Sequence, residues 1–416
     1  MKNRILLRRL KEKIASRHGR LVVLSGARQT GKTTLVRQLE GYDYISLDDP
    51  ILRPQYTRLS AVQWRERFQN VILDEVQKAP ALFESVKAAF DAHADMRFIL
   101  TGSSQILMLR QVRESMAGRA ALFELFPLTI PEMRTASWSE DIPVSRFQRW
   151  IAGGPKDTAL FLGIPAGDKG YAQAQLLFER YLSFGALPEV LAEDLGEKEK
   201  RDWLHQYVQT YLQRDLRDLV AIRDLEPFVL AQRCLAELVG QQVHHSTLAR
   251  EAGIAPQTAK RFLSYLEISY QVIVLRPWFR NRLKRLVKTP KLHWLDPGVQ
   301  QAVAGRSGDL TGFEYEGAVV AEIYKQARSL DLRIQFHHLR TSDGLEVDLL
   351  LELENGFVPI EIKKANRVSP GDAKHLFRLR EILDKPVLGA FVLSNDPEVR
   401  DLGEGILALP APWFLG

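Results

Sequence analysis

The chain has 416 residues, of which 45% are hydrophobic and 26% are charged. These proportions are those of an ordinary globular protein and exclude the collagen-like, coiled-coil and disordered classes. At roughly 100 to 200 residues per domain, the length predicts two to four domains. The single cysteine, Cys234, cannot form an internal disulfide, and no apolar run approaches the roughly 20 residues of a transmembrane helix. We therefore expect a cytoplasmic protein without a membrane partner.

The net charge of +6 arises from one short segment. Residues 276–291 contain seven cations and no acid, and without them 50 cations would face 51 acids. This density predicts a patch that binds a polyanion, with a solvated basic loop as the alternative. The seven cations are Arg276, Arg280, Arg282, Lys284, Arg285, Lys288 and Lys291.

Short apolar runs alternate with helical patterns between residues 21 and 127. This alternation predicts an α/β fold in which crossover helices connect the strands of a parallel sheet. The predicted strands are Leu21 to Leu24, Tyr44 to Leu47, Val71 to Leu73, Phe98 to Leu100 and Ala121 to Phe126. Five such strands make a complete nucleotide-binding core, which we assign to residues 1–134.

A phosphate-binding loop follows the first predicted strand. Residues 26–33, GARQTGKT, match the pattern G-x-x-x-x-G-K-[ST] between an apolar run and a helical pattern. The glycines allow backbone N–H groups to surround the phosphates of ATP, Lys32 reaches the terminal phosphates, and Thr33 ligates Mg²⁺. The predicted nucleotide contacts in this loop are Gly26, Ala27, Arg28, Gln29, Thr30, Gly31, Lys32, Thr33 and Thr34.

Two further strands end in polar residues suited to ATP hydrolysis. The run NVILDE ends in Asp74 and Glu75. We predict that Asp74 holds Mg²⁺ through water and that Glu75 polarises the attacking water. The next strand ends in Thr101 and Ser103, whose hydroxyls are predicted to sense the terminal phosphate or orient water. A turn with helix-capping serines is the alternative.

Arg119 stands immediately before the last predicted strand of this core. In hexameric AAA-plus ATPases, this junction carries the arginine that reaches the neighbouring subunit's nucleotide and neutralises transition-state charge. We therefore expect Arg119 to act in this way, with Arg110 as a weaker candidate, and we expect a homo-oligomer, with a hexameric ring as the leading arrangement.

The middle of the chain contains a predicted helix-turn-helix. Residues 135–175 lack periodicity and predict an irregular insertion or linker, whereas residues 176–300 have mainly helical spacing. Within 246–266, Gly253 separates two helices, and two strands are predicted to flank the basic segment as a wing. The predicted DNA contacts are Gln257, Lys260, Arg261, Arg280, Arg282, Lys284, Arg285 and Lys288. A protein interface is the alternative use of this motif.

The last region contains a predicted β-hairpin with Asn355-Gly356 as its turn. A two-residue turn there would place Asp348 opposite Lys363 and would make Asp348 and Glu361 diagonal neighbours on one face. Two carboxylates that share a magnesium ion, together with a lysine, suit phosphodiester hydrolysis. Any solvent-facing strand pair could also carry such charges, and we expect the domain not to cut DNA.

Several of these stretches resemble prokaryotic AAA-type ATPases that bear a C-terminal domain of unknown function numbered 4143. The similar stretches include SGARQTGKTTLVRQL, NVILDEVQKAP, FGALPEVL, EVDLLLE and PIEIKKA. The resemblance implies an AAA-type P-loop NTPase domain, a helical and winged-helix middle domain, and a restriction-endonuclease-like α/β domain at 301–416, similar to the PD-(D/E)xK nucleases. It also implies that Glu316 joins Asp348, Glu361 and Lys363 in a nuclease-like metal site.

The leading hypothesis is an oligomeric, ATP-hydrolysing DNA motor or remodeller that acts on branched or broken DNA. Two alternatives stay open. One is a nucleotide-gated DNA-binding switch with slow hydrolysis, and the other is a metal-dependent nuclease regulated by ATP.

Overall fold

The protein is described by a computed structural model that covers residues 1–102, 118–155, 157–212, 225–281, 283, 285 and 288–416. Four residues of the predicted sites lie outside the described residues. They are Ser103, Arg110, Arg282 and Lys284.

The first region contains a five-stranded parallel sheet, which confirms all five predicted strands. Its strands are β1 (Leu21–Gly26), β2 (Asp43–Ser46), β3 (Asn70–Asp74), β4 (Arg97–Thr101) and β5 (Ala121–Leu125), in the order β2-β3-β4-β1-β5. Its helices are α1 (Ile5–Ala15), α2 (Lys32–Val36), α3 (Arg53–Thr57), α4 (Ala61–Arg67) and α5 (Leu82–Ala92). Because the strands are parallel, their carboxyl ends meet at one edge, where ligands of such sheets bind.

Apolar side chains cover both faces of this sheet. Leu21 and Val23 of β1 pack in one core cluster, and Val22 and Leu24 pack in another with Leu10 of α1. Alternate residues of a strand point to opposite faces, so the continuous apolar run of β1 reflects burial on both sides. This buried interior strand therefore positions the loop that follows it.

The middle region is mainly helical. Its helices are α6 (Ile130–Met133), α7 (Arg146–Ala152), α8 (Lys169–Phe184), α9 (Glu197–Tyr207), α10 (Glu226–Glu237), α11 (His245–Glu251), α12 (Pro256–Ile268) and α13 (Pro297–Ala304). A π-helical turn at Val208–Leu212 follows α9. Within the described residues, no helix combines the length and the apolar character needed to cross a membrane.

The stretch 135–175 is more ordered than its sequence predicts. Helix α7 begins at a capping box in which Ser145 and Gln148 satisfy each other's backbone N–H groups. Its Trp150 ring lies 5.2 Å, centroid to centroid, from the Phe391 ring. The expectation of an irregular insertion is wrong for α7, which is too short to show a clear period and is stabilised by aromatic contacts with distant residues.

The last region is built on an eight-stranded sheet in the order β12-β13-β11-β10-β9-β8-β6-β7. Its strands are β6 (Val272–Pro277), β7 (Lys291–Trp294), β8 (Gln335–Arg340), β9 (Glu346–Glu352), β10 (Phe357–Lys363), β11 (Ala390–Ser394), β12 (Arg400–Asp401) and β13 (Ile406–Pro410). Its helices are α14 (Gly312–Ser329) and α15 (Ala411–Leu415). Strands β6 and β7 pair antiparallel around the basic segment, as predicted, and β6 also pairs with β8. The strand pair thus continues into the C-terminal sheet.

The register of the β9–β10 hairpin differs from the prediction by two residues. Leu350 lies opposite Pro359 rather than Glu361, so the same register places Asp348 opposite Glu361 rather than Lys363. Because the shift is even, Asp348 and Glu361 stay on one face. Their expected diagonal relation is wrong, and they are direct neighbours across the strand pair.

The turn of this hairpin is one residue earlier than Asn355-Gly356. The backbone N–H of Leu353 donates to the carbonyl of Gly356 at 2.9 Å, so Glu354 and Asn355 form the turn. A Cβ added to Gly356 would lie 2.4 Å from the carbonyl oxygen of Pro386. The glycine is therefore required by close packing against a neighbouring segment rather than by the turn itself.

Candidate functional site

The loop at residues 26–33 follows β1 at the carboxyl edge of the parallel sheet. Gly26 has a φ of 152°, and a Cβ there would lie 2.2 Å from the carbonyl oxygen of Leu125. Gly31 has a φ of 90° and directly precedes α2. Both positions therefore require glycine, and together they bend the backbone back on itself between strand and helix.

Lys32 directs its ammonium group into this loop. The side chain is buried, and its Nζ donates to the carbonyl oxygens of Gly26 at 2.9 Å and Ala27 at 2.7 Å. These contacts place a positive charge at the concave side of the loop. Such a charge attracts the phosphates of a nucleotide, as the sequence motif predicts.

Asp74 lies beside the loop with three hydroxyl groups directed at it. The Thr33 hydroxyl donates to Oδ2 at 2.7 Å, the Tyr44 hydroxyl donates to Oδ2 at 2.6 Å, and the Thr101 hydroxyl donates to Oδ1. Burial and the contact with Asp74 raise the pKa of Tyr44 to about 12, so this phenol stays a donor. Carboxylate, hydroxyl and water oxygens are the ligands that Mg²⁺ prefers, and Thr33 and Asp74 fit that ion.

Glu75 adopts a left-handed backbone conformation, with a φ of 60°. Such a conformation is uncommon for a residue with a side chain and often accompanies function. Its carboxylate accepts a hydrogen bond from the Gln77 side chain. Burial raises its pKa, whereas the charge of Lys32 opposes the shift. A carboxylate of raised pKa at this edge is suited to act as a base towards water.

The structure adds three residues that hold the loop or the residue before it and that the motifs did not reveal. Arg4 donates to the carbonyl of Thr30 at 2.7 Å, and the Tyr207 hydroxyl donates to the carbonyl of Arg28 at 3.2 Å. Tyr270 shares a hydrogen bond of 2.7 Å with Ser25. No local pattern could identify these residues, because each is distant in sequence from the group that it contacts.

A cavity of about 590 Å³ opens beside the loop. This volume lies within the range of roughly 300 to 1,000 Å³ that is usual for small-molecule sites. Thr30, Gly31 and Thr34 line it on the side of the loop. Its apolar lining includes Leu128, Trp138, Pro188 and Leu191. The cavity can therefore accept a flat, apolar group attached to phosphates that are bound in the loop.

Arg119 lies at the opposite edge of the sheet from the loop. It precedes β5, whose Ala121 pairs with Val22, four residues before Gly26. At about 3.3 Å per residue, that separation alone is about 13 Å. The guanidinium Nε lies 3.0 Å from Asp91 Oδ1 and is partly exposed. Arg119 therefore points away from the loop of its own chain.

The helix-turn-helix is formed by α11 and α12. Gln257, Lys260 and Arg261 are exposed on α12, and Arg280 and Lys288 are exposed in the segment between β6 and β7. The inner side of α12 is buried through Ala259, Phe262, Leu263 and Leu266. Five of the predicted DNA contacts thus lie at the surface.

Arg285 is a correction to the predicted DNA contacts. Its side chain is buried, its Nη1 lies 2.7 Å from Glu352 Oε2, and its Nε donates to the carbonyl of Phe279 at 2.6 Å. A guanidinium that is already paired inside the protein is not presented to a phosphate. The expectation of an exposed cation at this position is therefore wrong.

The acidic residues of the predicted nuclease-like site do come together. Glu316 on α14 lies with Asp348 and Glu361 in a buried group, and Lys363 Nζ lies 2.8 Å from Glu361 Oε2. Burial and the neighbouring Asp348 raise the pKa of Glu316 to about 8 and that of Glu361 to about 9. Lys291, expected in a basic wing, is also buried here.

These residues do not fit the predicted metal site. The Lys291 ammonium lies 2.6 Å from Glu316 Oε1 and 3.3 Å from Asp348 Oδ1, in the space that a shared metal would need. Throughout the part of the chain that the structure describes, no group of three or more His, Cys, Asp or Glu side chains is arranged to hold a metal ion. The metal assignment of Glu316, Asp348 and Glu361 is therefore not supported by the geometry.

Three parts of the chain match known families. Residues 18–134 match an AAA domain, residues 175–310 match a domain of unknown function, DUF8612, and residues 311–414 match a domain of unknown function, DUF4143. The AAA match contains the loop, Asp74 and Glu75. The DUF4143 match contains the buried acidic residues but does not include Lys291, which belongs to the preceding match.

The relatives that the chain matches are described as uncharacterized proteins. One from Mycobacterium tuberculosis is 27% identical, covering 95% of this chain and 81% of the relative. Another from Methanocaldococcus jannaschii is 25% identical, covering 69% of this chain and 63% of the relative. Among solved structures, a Walker-type ATPase of Pyrococcus abyssi is 15% identical with a TM-score of 0.45, covering 72% of this chain and 94% of that one.

Proposed function

We propose that this chain, an ATPase with an N-terminal AAA domain and a C-terminal DUF4143 domain, couples ATP hydrolysis to the remodelling of DNA. The observation that carries the proposal is a hydrogen bond between Ser25, which directly precedes the nucleotide loop, and Tyr270, which lies two residues after the helix-turn-helix. The two halves of the proposal, hydrolysis and DNA binding, have separate sites with separate tests.

ATP hydrolysis is supported by the different chemical groups that surround the loop. Lys32 supplies positive charge to the phosphates, and Thr33 and Asp74 provide oxygen ligands for Mg²⁺, which neutralises phosphate charge when bound. Glu75 accepts the proton of the attacking water. Thr101 holds Asp74 from the next strand, so its hydroxyl positions this carboxylate.

The cavity beside the loop is proposed to receive the nucleoside. Gly31 and Thr34 lie at the start of α2 and also line this cavity. A nucleotide with its phosphates in the loop therefore extends into the cavity. The indole of Trp138 offers an apolar face on which a base can stack. Arg4 supports this arrangement, because it lines the cavity and also holds the carbonyl of Thr30.

The connection to the helix-turn-helix is formed by Tyr270. This residue lies two positions after the end of α12, and its hydroxyl lies 2.7 Å from Ser25 Oγ and 2.9 Å from Glu124 Oε1. Ser25 directly precedes Gly26 of the loop. If nucleotide binding displaces the loop and Ser25, the hydrogen bond to Tyr270 shifts the end of α12. DNA bound to α12 acts on the loop through the same hydrogen bond.

DNA is the proposed partner because the exposed face of α12 is polar and basic. Lys260 and Arg261 suit contacts with phosphates, and Gln257 near the start of the helix suits contacts with base edges. Arg280 and Lys288 add positive charge beside the strand pair. A DNA motor and a nucleotide-gated DNA-binding switch would both use this surface and its connection to the nucleotide loop, and they differ in the rate of ATP turnover.

An oligomer is proposed from the position of Arg119. An arginine that points away from its own loop can act in hydrolysis only at a neighbouring subunit's nucleotide. This role requires Arg119 to exchange Asp91 for the phosphates of the neighbour. The test mixes Lys32→Ala and Arg119→Ala subunits, each of which is expected to lose hydrolysis when assayed alone. Recovery of hydrolysis supports action between subunits, and an Arg119→Ala protein with parental turnover contradicts the role.

The coupling is tested by measuring ATP turnover with and without linear and forked DNA. A motor shows DNA-stimulated multiple turnover, whereas a switch shows tight ATP binding with slow turnover. Tyr270→Phe removes one hydroxyl and is expected to reduce the effect of DNA while ATP binding persists. Tyr56→Phe is the matched control, because its ring packs on Trp64 in the ATPase core. Full DNA stimulation in Tyr270→Phe would contradict the proposed connection.

The DNA surface is tested by replacing Lys260, Arg261, Arg280 and Lys288 together with glutamine. Binding is expected to weaken, because fewer phosphates are neutralised. The slope of log affinity against log salt is expected to flatten by about 0.9 for each phosphate that the variant no longer neutralises. The matched control replaces the exposed Arg8 and Lys11 of α1 with glutamine. If the variant with all four substitutions keeps the parental salt dependence of DNA affinity, the DNA site lies elsewhere.

A further inference from the structure

A buried ion cluster connects strand β7 to the C-terminal domain. Lys291 begins β7 and lies outside the residues that match DUF4143, yet its side chain is only 3% exposed and ends among the acids of that domain. Its ammonium contacts Glu316 of α14 and Asp348 of β9. The positive charge of Lys291 therefore comes from a different domain match than the carboxylates that it contacts.

Each carboxylate of the cluster contacts at least one ammonium group. Asp348 Oδ2 accepts from the backbone N–H of Ile362 at 2.9 Å, and its Oδ1 lies 3.3 Å from Lys291 Nζ. Glu361 Oε2 accepts from Lys363 Nζ at 2.8 Å. Two ammonium groups thus share three carboxylates. These contacts hold the pKa of Asp348 below its usual value, whereas burial still raises the pKa of Glu316 and of Glu361, so the ammonium groups offset only part of the cost of burying the two glutamates.

A divalent metal would need the position that Lys291 occupies. Mg²⁺ requires oxygen ligands at about 2.0 to 2.1 Å in near-octahedral geometry. The Lys291 ammonium lies within hydrogen-bonding distance of Glu316 and close to Asp348, the two carboxylates that would have to converge on the ion. Its positive charge would also repel a second cation at such short range in a buried site.

We infer that Lys291 is a built-in substitute for a divalent metal, which neutralises Glu316 and Asp348 and keeps the acidic site of the DUF4143 domain free of catalytic metal. The ion pairs of the cluster then attach the β6–β7 strand pair to the C-terminal domain. This inference concerns metal binding in the absence of nucleotide, so it stands or fails independently of ATP hydrolysis and DNA remodelling.

The test measures binding of Mn²⁺, without nucleotide, from the electron paramagnetic resonance signal of the free ion. Wild-type protein and Asp348→Asn are expected to bind the same number of ions. Lys291→Met, which keeps the length of the side chain and removes its charge, is expected to bind one additional ion per chain. The double variant Lys291→Met/Asp348→Asn is expected to lose that ion.

Thermal unfolding provides a second readout of the same site. Mn²⁺ is expected to raise the melting temperature of Lys291→Met and to leave that of the wild type unchanged, because the ion replaces the missing charge. The matched control is Lys374→Met, which removes an exposed cation of the same domain and is expected to behave as the wild type in both Mn²⁺ measurements.

Three outcomes would overturn the inference. The first is a Mn²⁺ site in the wild type that Asp348→Asn removes. This comparison of wild type with Asp348→Asn tests the inference even if Lys291→Met does not fold. The second is a folded Lys291→Met protein that gains no ion. The third is metal-dependent cleavage of linear, forked or four-way DNA by the wild type that Asp348→Ala abolishes.

Discussion

Replacing Glu75 with glutamine separates ATP binding from ATP hydrolysis. Glutamine has nearly the same shape as glutamate and accepts the same left-handed backbone, so the loop and Asp74 should keep their positions. The change removes only the ability to take a proton from water. ATP affinity is expected to stay the same or to rise slightly, because a negative charge near Lys32 is removed.

The expected loss of turnover is the contribution of a positioned general base. Such a base contributes about 10²-fold to 10⁴-fold in rate, which corresponds to about 3 to 5 kcal/mol of activation free energy. The burial of Glu75 favours the upper part of this range, because its raised pKa makes it a stronger base than an exposed glutamate. Turnover is measured by phosphate release, and affinity by titration with a fluorescent ATP analogue.

The pH dependence provides an independent check on the same residue. Glu75 accepts a proton only when it is ionised, and burial raises its pKa. Turnover should therefore fall with decreasing pH at a higher pH than an exposed glutamate, of pKa about 4.3, would give. Glu84→Gln, at an exposed position on α5, is the control and should leave both rate and pH profile unchanged. A Glu75→Gln protein that hydrolyses ATP at the parental rate would refute the assignment.

Three further substitutions test other parts of the structure. Lys32→Ala should weaken ATP binding by about 1.5 to 3 kcal/mol, the usual range for hydrogen bonds to charged groups, and equal affinity in the same titration would remove Lys32 from the phosphate site. Trp138→Ala should weaken ATP binding by about 0.5 to 1.5 kcal/mol with little change in maximal rate, whereas unchanged affinity would place the base outside the cavity. Phe391→Ala should lower the free energy of unfolding by about 3 to 5 kcal/mol in chemical denaturation, because the ring is buried against Trp150 and Phe414; a loss below about 1 kcal/mol would show that α7 is not part of this core.

Local patterns determined the ATPase core. The five strands were predictable because a buried parallel strand is a short apolar run, and the loop was predictable because its glycines and lysine stand between such a run and a helix. Asp74 and Glu75 followed from the same logic, since the carboxyl ends of parallel strands share one edge. The shared face of Asp348 and Glu361 was also predictable, because side chains alternate along a strand.

Only the tertiary structure decided which charged groups face solvent. Lys291 and Arg285 belong to a basic segment in sequence, but each is buried against acids that lie 25 to 67 residues further along the chain. Gly356 likewise serves a close contact with Pro386 rather than the turn, and the hairpin register differs by two residues from the one that an Asn355-Gly356 turn predicts. Tyr270 reaches Ser25 across 245 residues. Composition and spacing record which side chains are present, whereas burial and ion pairing depend on segments that meet only after folding, and these contacts decide whether a cation binds DNA or neutralises an internal acid.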